Sequence, residues 1–384
     1  MYERWSNGPP ADPTFFPVAV WLQDVDLAAR YRDAGVNVYV GLWQGPTHEQ
    51  LAALQRVGMH VICEQNEIGL QHADHSTIIG WMHGDEPDNA QGMARRWKND
   101  VAAIKRAWPD VPDRTVEEWG TYGPPIPPAE IVADYHAVAQ RDPSRPVLLN
   151  LGQGVANDDY VGRGWRRGRM EDYPEYAKGC DIVSYDIYPV THHRPEIVGN
   201  LWYVPRGVER LLEWTTDRQV VWNVVECTHI NSDRKPTPQE VRTEVWMSLI
   251  HGSKGIVYFC HEWKPELNEH APLDDPEMLA ALTGINNQIH GLAPVLNNPT
   301  LADGVDVDSS NADVPVATMV KQHDGATYVF AVAMRDGDTN ATFTVRGVQS
   351  GKAEVIEEDR AIEVTDGRFE DAFKGYEVHL YRVR

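Results

Sequence analysis

The chain has 384 residues, close to what one barrel of eight β/α units, about 250 residues, plus a small partner domain would need. Hydrophobic residues make up 42% and charged residues 24%, which supplies a large core and excludes a disordered chain. A formal net charge of −22 repels phosphate backbones and anionic lipids, so neither nucleic acid nor a membrane surface is an expected partner.

Residues 1–15, MYERWSNGPPADPTF, contain no apolar stretch of the signal-peptide type. Short β-branched runs then recur: FPVAVW (16–21), VNVYVGLW (36–43), HVICEQN (60–66), IIGWMHG (78–84), PVLLNLG (146–152), DIVSYDIYPV (181–190), VVWNVVE (220–226) and GIVYFCHEW (255–263). Helical patterns alternate with them. In DVDLAARYRDAG, Leu27, Tyr31 and Ala34 share one face and Gly35 is the stop. In THEQLAALQRVG, Thr47 is the N-cap, Gln50 completes a capping box and Gly58 ends the helix. TPQEVRTEVWMSLIHG and DPEMLAALTGINNQIHGLAPVL follow the last two runs. Two units differ. Only EIGLQHADHST separates runs three and four, too short for a full crossover helix, and a long insertion with helices near 89–108 and 128–140 separates runs four and five.

Apolar strands alternating with helices predict a parallel sheet covered on both faces. Eight units without a Gly-x-Gly-x-x-Gly turn after the first strand predict an α/β fold of the closed (β/α)8 TIM-barrel type over residues 1–298. Beyond it, short alternating runs separated by HDGA, RDGDT and TDGRF predict an antiparallel β-sandwich over residues 299–384. The four cysteines fall in predicted strands and form no CxxC pair, so they read as buried thiols, and no metal or cofactor is implied. His192 and His193 lack a third ligand at metal spacing. Thirteen tryptophans against seven phenylalanines provide flat faces of the kind that suit sugar rings.

Chemistry on such a barrel sits at the C-terminal strand ends. Two glutamates end otherwise apolar strands there, Glu86 in WMHGDEPD and Glu226 in VVWNVVECTH. Glycosidic bond hydrolysis needs such a pair, one carboxyl to protonate the leaving oxygen and a second on the opposite face of the sugar. No Lys lies in a barrel run for Schiff-base chemistry, and no Gly-x-Ser-x-Gly elbow is present.

Glu86, Glu226, Tyr188 and Trp263, in order at the ends of runs four, seven, six and eight, resemble the clan A retaining glycoside hydrolases. The resemblance covers residues 16–290 and implies Glu86 as acid/base and Glu226 as nucleophile. It also implies Tyr188 bonded to Glu226 and Trp263 as the floor under the sugar. Asp85 stands where that clan usually has Asn, which donates to the substrate 2-hydroxyl; Asp accepts instead. Trp43, Glu64, Asn66, His83 and Asp186 complete the expected substrate-binding set. The expected partner is a β-linked oligosaccharide or polysaccharide, cleaved with retention. The alternatives are inversion by the same pair or a sugar-binding barrel without catalysis. Extracellular or periplasmic residence is expected from that substrate and the acidity, with the cytoplasm as the alternative.

Overall fold

The computed structural model describes residues 2–230 and 232–384. Nine parallel strand segments form the barrel: β1 (Val18–Trp21), β2 (Val38–Val40), β3 (His60–Cys63), β4 (Ile78–Met82), β5 (Val147–Leu151), β6 (Ile182–Tyr185), β7 (Val220–Val221), β8 (Asn223–Glu226) and β9 (Ile256–Phe259). β7 and β8 are two halves of one stave divided at Trp222, β7 pairing with β6 and β8 with β9. Since β9 also pairs with β1, eight staves close into a ring, the (β/α)8 TIM barrel that the alternating runs predict.

Period-two alternation sorts the side chains. Ala19, Trp21, Val38, Val40, Ile62, Leu148, Ile182, Trp222, Val224 and Val257 pack as one cluster that fills the barrel. Their strand neighbours, among them Val18, Val20, Tyr39, Val61, Val225 and Tyr258, pack against the surrounding helices. The first turn, Tyr2–Arg4, belongs to the inner cluster, and the Trp222 indole N–H donates to Tyr2 Oη at 2.8 Å. Trp222 fits because residue 255 is glycine; a Cβ there would meet the indole at 2.6 Å.

The helix His48–Val57 carries the predicted Thr47–Gln50 capping box and ends at Gly58 with φ 69°. The helix Pro238–Ile250 has a second box, Thr237 with Glu240. The 89–108 helix shortens to Val101–Ala107, because residues 89–100 form turns, while Pro128–Arg141 is helical as expected. Between β3 and β4 only Glu67–Gln71 is helical.

The C-terminal part is eight antiparallel strands: β10 (Val305–Ser309), β11 (Val316–His323), β12 (Ala326–Ala333), β13 (Thr339–Val345), β14 (Ser350–Val355), β15 (Arg360–Thr365), β16 (Arg368–Phe373) and β17 (Val378–Val383). They form one continuous sheet, in the order β10-β13-β16-β15-β14-β17-β12-β11, whose end strands β10 and β11 return to each other around a separate apolar core. The twist of a long antiparallel sheet lets it fold over and cover its own apolar face, in keeping with the antiparallel β-sandwich expected after the barrel. The sheet joins the barrel through Trp246, stacked on Phe330 with ring centres 5.4 Å apart. Thr243 donates to Tyr376 O and Arg242 to Val378 O. The four cysteines are buried and unpaired, and no helix is long and apolar enough to cross a membrane.

Candidate active site

The polar ends of β4, β5 and β6 meet at the barrel mouth. Asn150, on the inner face of β5, donates from Nδ2 to Asp85 at 2.9 Å and to Asp186 at 3.2 Å. Its Oδ1 accepts from Ser184 Oγ at 2.8 Å, so one carboxamide ties three staves together. Asp186 lies beside both Glu86 and Tyr188, and its charge acts on each. Asp85 has solvent access, while Glu86, Asp186 and Tyr188 are half-buried.

Backbone geometry places Glu86 in this group. Its φ is +43°, in the left-handed region that L-residues rarely adopt, and Pro87 follows it. The Glu86 amide donates to Asn150 O, and the Asn89 amide to Glu86 O, both at 3.1 Å, closing a tight turn off β4. Asp88 anchors the turn. Its carboxylate is fully buried and accepts from the Gly152 amide at 2.9 Å and Tyr173 Oη at 3.0 Å.

Burial and crowding raise the acids. Burial pushes Asp85 up to about 6 and Asp186 up to about 7. Glu86 rises well above the usual carboxylate range, first through burial and then through the charges of Asp186, Asp85 and Asp88. The shift favours the protonated form of Glu86, the form a proton donor needs. Tyr160, which sequence reasoning did not single out, has its hydroxyl raised by burial and by the Glu86 and Asp186 charges. His192 Nε2 donates to Gln153 Oε1 at 2.8 Å, and burial with neighbouring His193 and Arg194 pushes this imidazole down to about 4. No strand-end rule reaches Tyr160, which lies in the turns after β5.

Two exposed aromatic faces follow β9 and β2. Trp263 is 45% exposed and stacks on Phe259 at 5.5 Å, and Phe259 in turn lies 5.2 Å from Tyr188. One Trp263 face is thus covered, at the end of a chain of rings that leads to Asp186. Trp43 is 69% exposed and borders a cavity of about 290 Å³ with Gln23, Asp24, Gln50 and Glu269.

Four expectations are corrected. Glu226 has no solvent access, and its two oxygens accept from the Val190 amide at 2.6 Å and the Thr191 amide at 3.0 Å. The buried Glu244 on the helix Pro238–Ile250 lies near it, and the charges of Asp186, Asp85 and Asp88 act on Glu86. The loop leaving β6 therefore holds Glu226. The charge that acts most strongly on the Tyr188 hydroxyl is that of Asp186. Asn66 is a helix cap: its Oδ1 accepts from Gly69 N at 2.8 Å and its Nδ2 donates to Pro46 O. His83 points to Gly179 O at 2.9 Å, with burial lowering its imidazole, so it braces the barrel wall. Glu64 is exposed at the end of β3. Among the described residues no cluster of His, Cys, Asp and Glu has metal-holding geometry.

No family model and no curated protein matches the sequence. Similarity to solved structures is extensive. A catalytic mutant of a GH42 β-galactosidase from G. stearothermophilus aligns over 100% of both chains with a TM-score of 0.58 and 9% identity. An α-amylase from Geobacillus thermoleovorans complexed with acarbose aligns over 99% of both chains, with a TM-score of 0.53 and 11% identity. An Anoxybacillus α-amylase aligns over 100% of this chain and 96% of its own, with a TM-score of 0.52 and 12% identity. At such identities the agreement is one of fold: this chain is similar to them in carrying a (β/α)8 barrel followed by an antiparallel β-domain.

Proposed function

We propose that the protein is a glycoside hydrolase whose acid is Glu86. The observation that carries this reading is the cluster of Asp85, Glu86 and Asp186 at the barrel mouth, in which Asn150 holds both aspartates and burial with its neighbours' charges favours the protonated form of Glu86. A protonated carboxyl at neutral pH is what a glycosidic oxygen needs from a general acid. The exposed faces of Trp263 and Trp43 give sugar rings a surface to lie on. The similarity of fold to a β-galactosidase and to α-amylases supports the same reading, with the anomeric specificity left open between β and α.

The test is hydrolysis of paired α- and β-aryl glycosides by the wild type and by Glu86→Gln. The expected result is turnover on one anomeric series and a loss of about 10²–10⁴-fold in kcat/KM in the variant, the usual contribution of a positioned general acid. Undiminished turnover in Glu86→Gln would overturn the assignment. Binding without hydrolysis across the panel would identify a sugar-binding barrel instead.

A further inference from the structure

We propose that the loops leaving β9, β1 and β2 form a second sugar subsite around Trp43, so that the substrate is a chain of uncharged sugar units rather than a single glycoside. The inference rests on the reading of Glu86 as the acid. The cavity beside Trp43, of about 290 Å³, is lined by residues 22–25 after β1, by Trp43 and Gln50 after β2, and by Glu269 after β9. None of Asp85, Glu86, Asn150 and Asp186 lines it. The ring order is β9-β1-β2-β3-β4, so β4, which carries Glu86, stands two staves beyond β2. At ~4.8 Å per strand step that is about 10 Å along the barrel wall, more than one sugar ring spans. A ring resting on Trp43 is therefore not the one whose bond meets Glu86, and a substrate that uses both places has at least two units.

The cavity walls are fixed in place. Trp43 is 69% exposed, a large apolar face that the fold leaves uncovered. Gln50 holds its backbone: Nε2 donates to Trp43 O at 2.9 Å, and Oε1 accepts from the Thr47 amide at the same distance. Gly45 leaves room for that side chain, since a Cβ there would stand 2.0 Å from Gln50 Oε1. On the other side the buried Gln23 donates to Glu269 O at 2.7 Å and accepts from the Tyr31 hydroxyl, which ties the β9 loop to the end of β1. Leu22 at φ +48° and Gln44 at φ +52° are left-handed non-glycine residues, as Glu86 is. Strained strand exits thus mark this cavity as well as the acid, and such strain is held where a ligand is gripped.

The lining also specifies the ligand. An indole offers a flat apolar face on which the C–H face of a sugar ring can lie. The ionisable groups of the cavity are Asp24 and Glu269, and no Lys, Arg or His lines it. Asp24 accepts from the Asp26 amide through Oδ1 at 3.0 Å, which leaves Oδ2 facing outward without a donor among the described residues, and Glu269 is exposed. Ionised carboxylates only accept, so they take hydroxyl donors from an uncharged ring. A uronic acid or a sulfated sugar would set anion against anion, in a chain that already carries a net charge of −22.

The experiment measures kcat/KM for malto-, cello-, laminari-, manno-, xylo- and galacto-oligosaccharides of two to six units beside the 4-nitrophenyl glycosides, using the full chain. For the series that is cleaved, the expected value is at least about tenfold higher for four or more units than for two, the order expected from covering one indole face. Trp43→Ala should bring that ratio to about one by raising KM for the long chains, and Trp43→Phe, which keeps a flat ring, should restore most of it. A folding defect would lower all substrates alike and leave the ratio standing. Oligogalacturonate, an acidic chain, should be neither cleaved nor able to compete. A wild-type ratio near one, or an unchanged ratio in Trp43→Ala, would overturn the subsite while leaving Glu86 as the acid. Cleavage of oligogalacturonate, or competition by it, would overturn the choice of uncharged sugars. Absence of hydrolysis across the aryl glycosides and the oligosaccharides together would overturn the glycosidase reading, and the subsite with it.

Discussion

Asn150 contributes no proton chemistry, yet it decides where two acids stand. Donating to both Asp85 and Asp186, it favours their ionised forms, while Glu86, without such a donor from Asn150, is pushed well above the usual carboxylate range. Asp186 raises Glu86 by its charge, so neutralising it should let the Glu86 proton leave at lower pH. The basic limb of the kcat/KM profile in Asp186→Asn is therefore expected at lower pH than in the wild type, and an unmoved limb would assign the wild-type limb to another group. Asn66 is a case of the opposite kind. With both ends of its amide spent on Gly69 N and Pro46 O, Asn66→Ala should cost about 1 kcal/mol in denaturant unfolding, as caps do, and leave kcat unchanged. The sequence made Glu86, Asp186 and Asn66 visible as polar strand ends, but only the structure separates an acid from a cap. The direction in which a strand-end side chain leaves is set by contacts distant in sequence.

At the scale of elements, the stave divided at Trp222 explains the main departure from the sequence reading. Strand alternation places Glu226 in line with Trp222 and Val224, which face the barrel interior. The loop after β6 intercepts it with two consecutive amides, Val190 and Thr191, which follow Pro189. Nothing local to VVWNVVE announces that interception, because the donors lie 35 and 36 residues earlier. Glu226→Gln would set an amide group against one of those N–H donors. It should lose about 1–3 kcal/mol, the cost of an unsatisfied buried donor, seen as a lower midpoint in urea. Where the variant is folded, its kcat should stay within a few-fold of wild type. A drop of about 10²-fold or more in fully folded protein would return the nucleophile role to Glu226. The capping boxes at Thr47 and Thr237 were legible because their partners are three residues away. Strands β10 and β16 were not, since VDVDS and RFEDAF carry charges at alternate positions and read as surface turns.

The molecule as a whole carries a pH dependence set by its buried acids. Glu226 is raised to about 7 by burial, and the fully buried Glu244 is raised well above the ordinary range by burial and by the Glu226 charge. For a folded-state value above the unfolded one, the native state binds more protons. The associated stability is present below the unfolded value, near ~4.3, and is lost as pH rises through the folded value. The unfolding midpoint should thus fall between pH 5 and pH 8, as measured by thermal melts at fixed ionic strength. Glu244→Gln should flatten that fall, since the Glu244 oxygens have no hydrogen-bond partner to lose. Barrel and C-terminal sheet also share one core. Phe330→Ala should cost about 3–5 kcal/mol by emptying the face against Trp246.

The left-handed backbone at Glu86 carries a further consequence. A non-glycine residue at φ +43° stores about 1–3 kcal/mol that neighbouring contacts must sustain. Glycine at this position would release that tension and remove a crowded carboxyl in the same substitution. The change that silences the acid is therefore one that the fold itself would tolerate readily. Stability alone offers no protection for this residue over evolutionary time; only selection for turnover does. Related chains in which the requirement for chemistry has lapsed should show glycine here before the barrel core begins to erode.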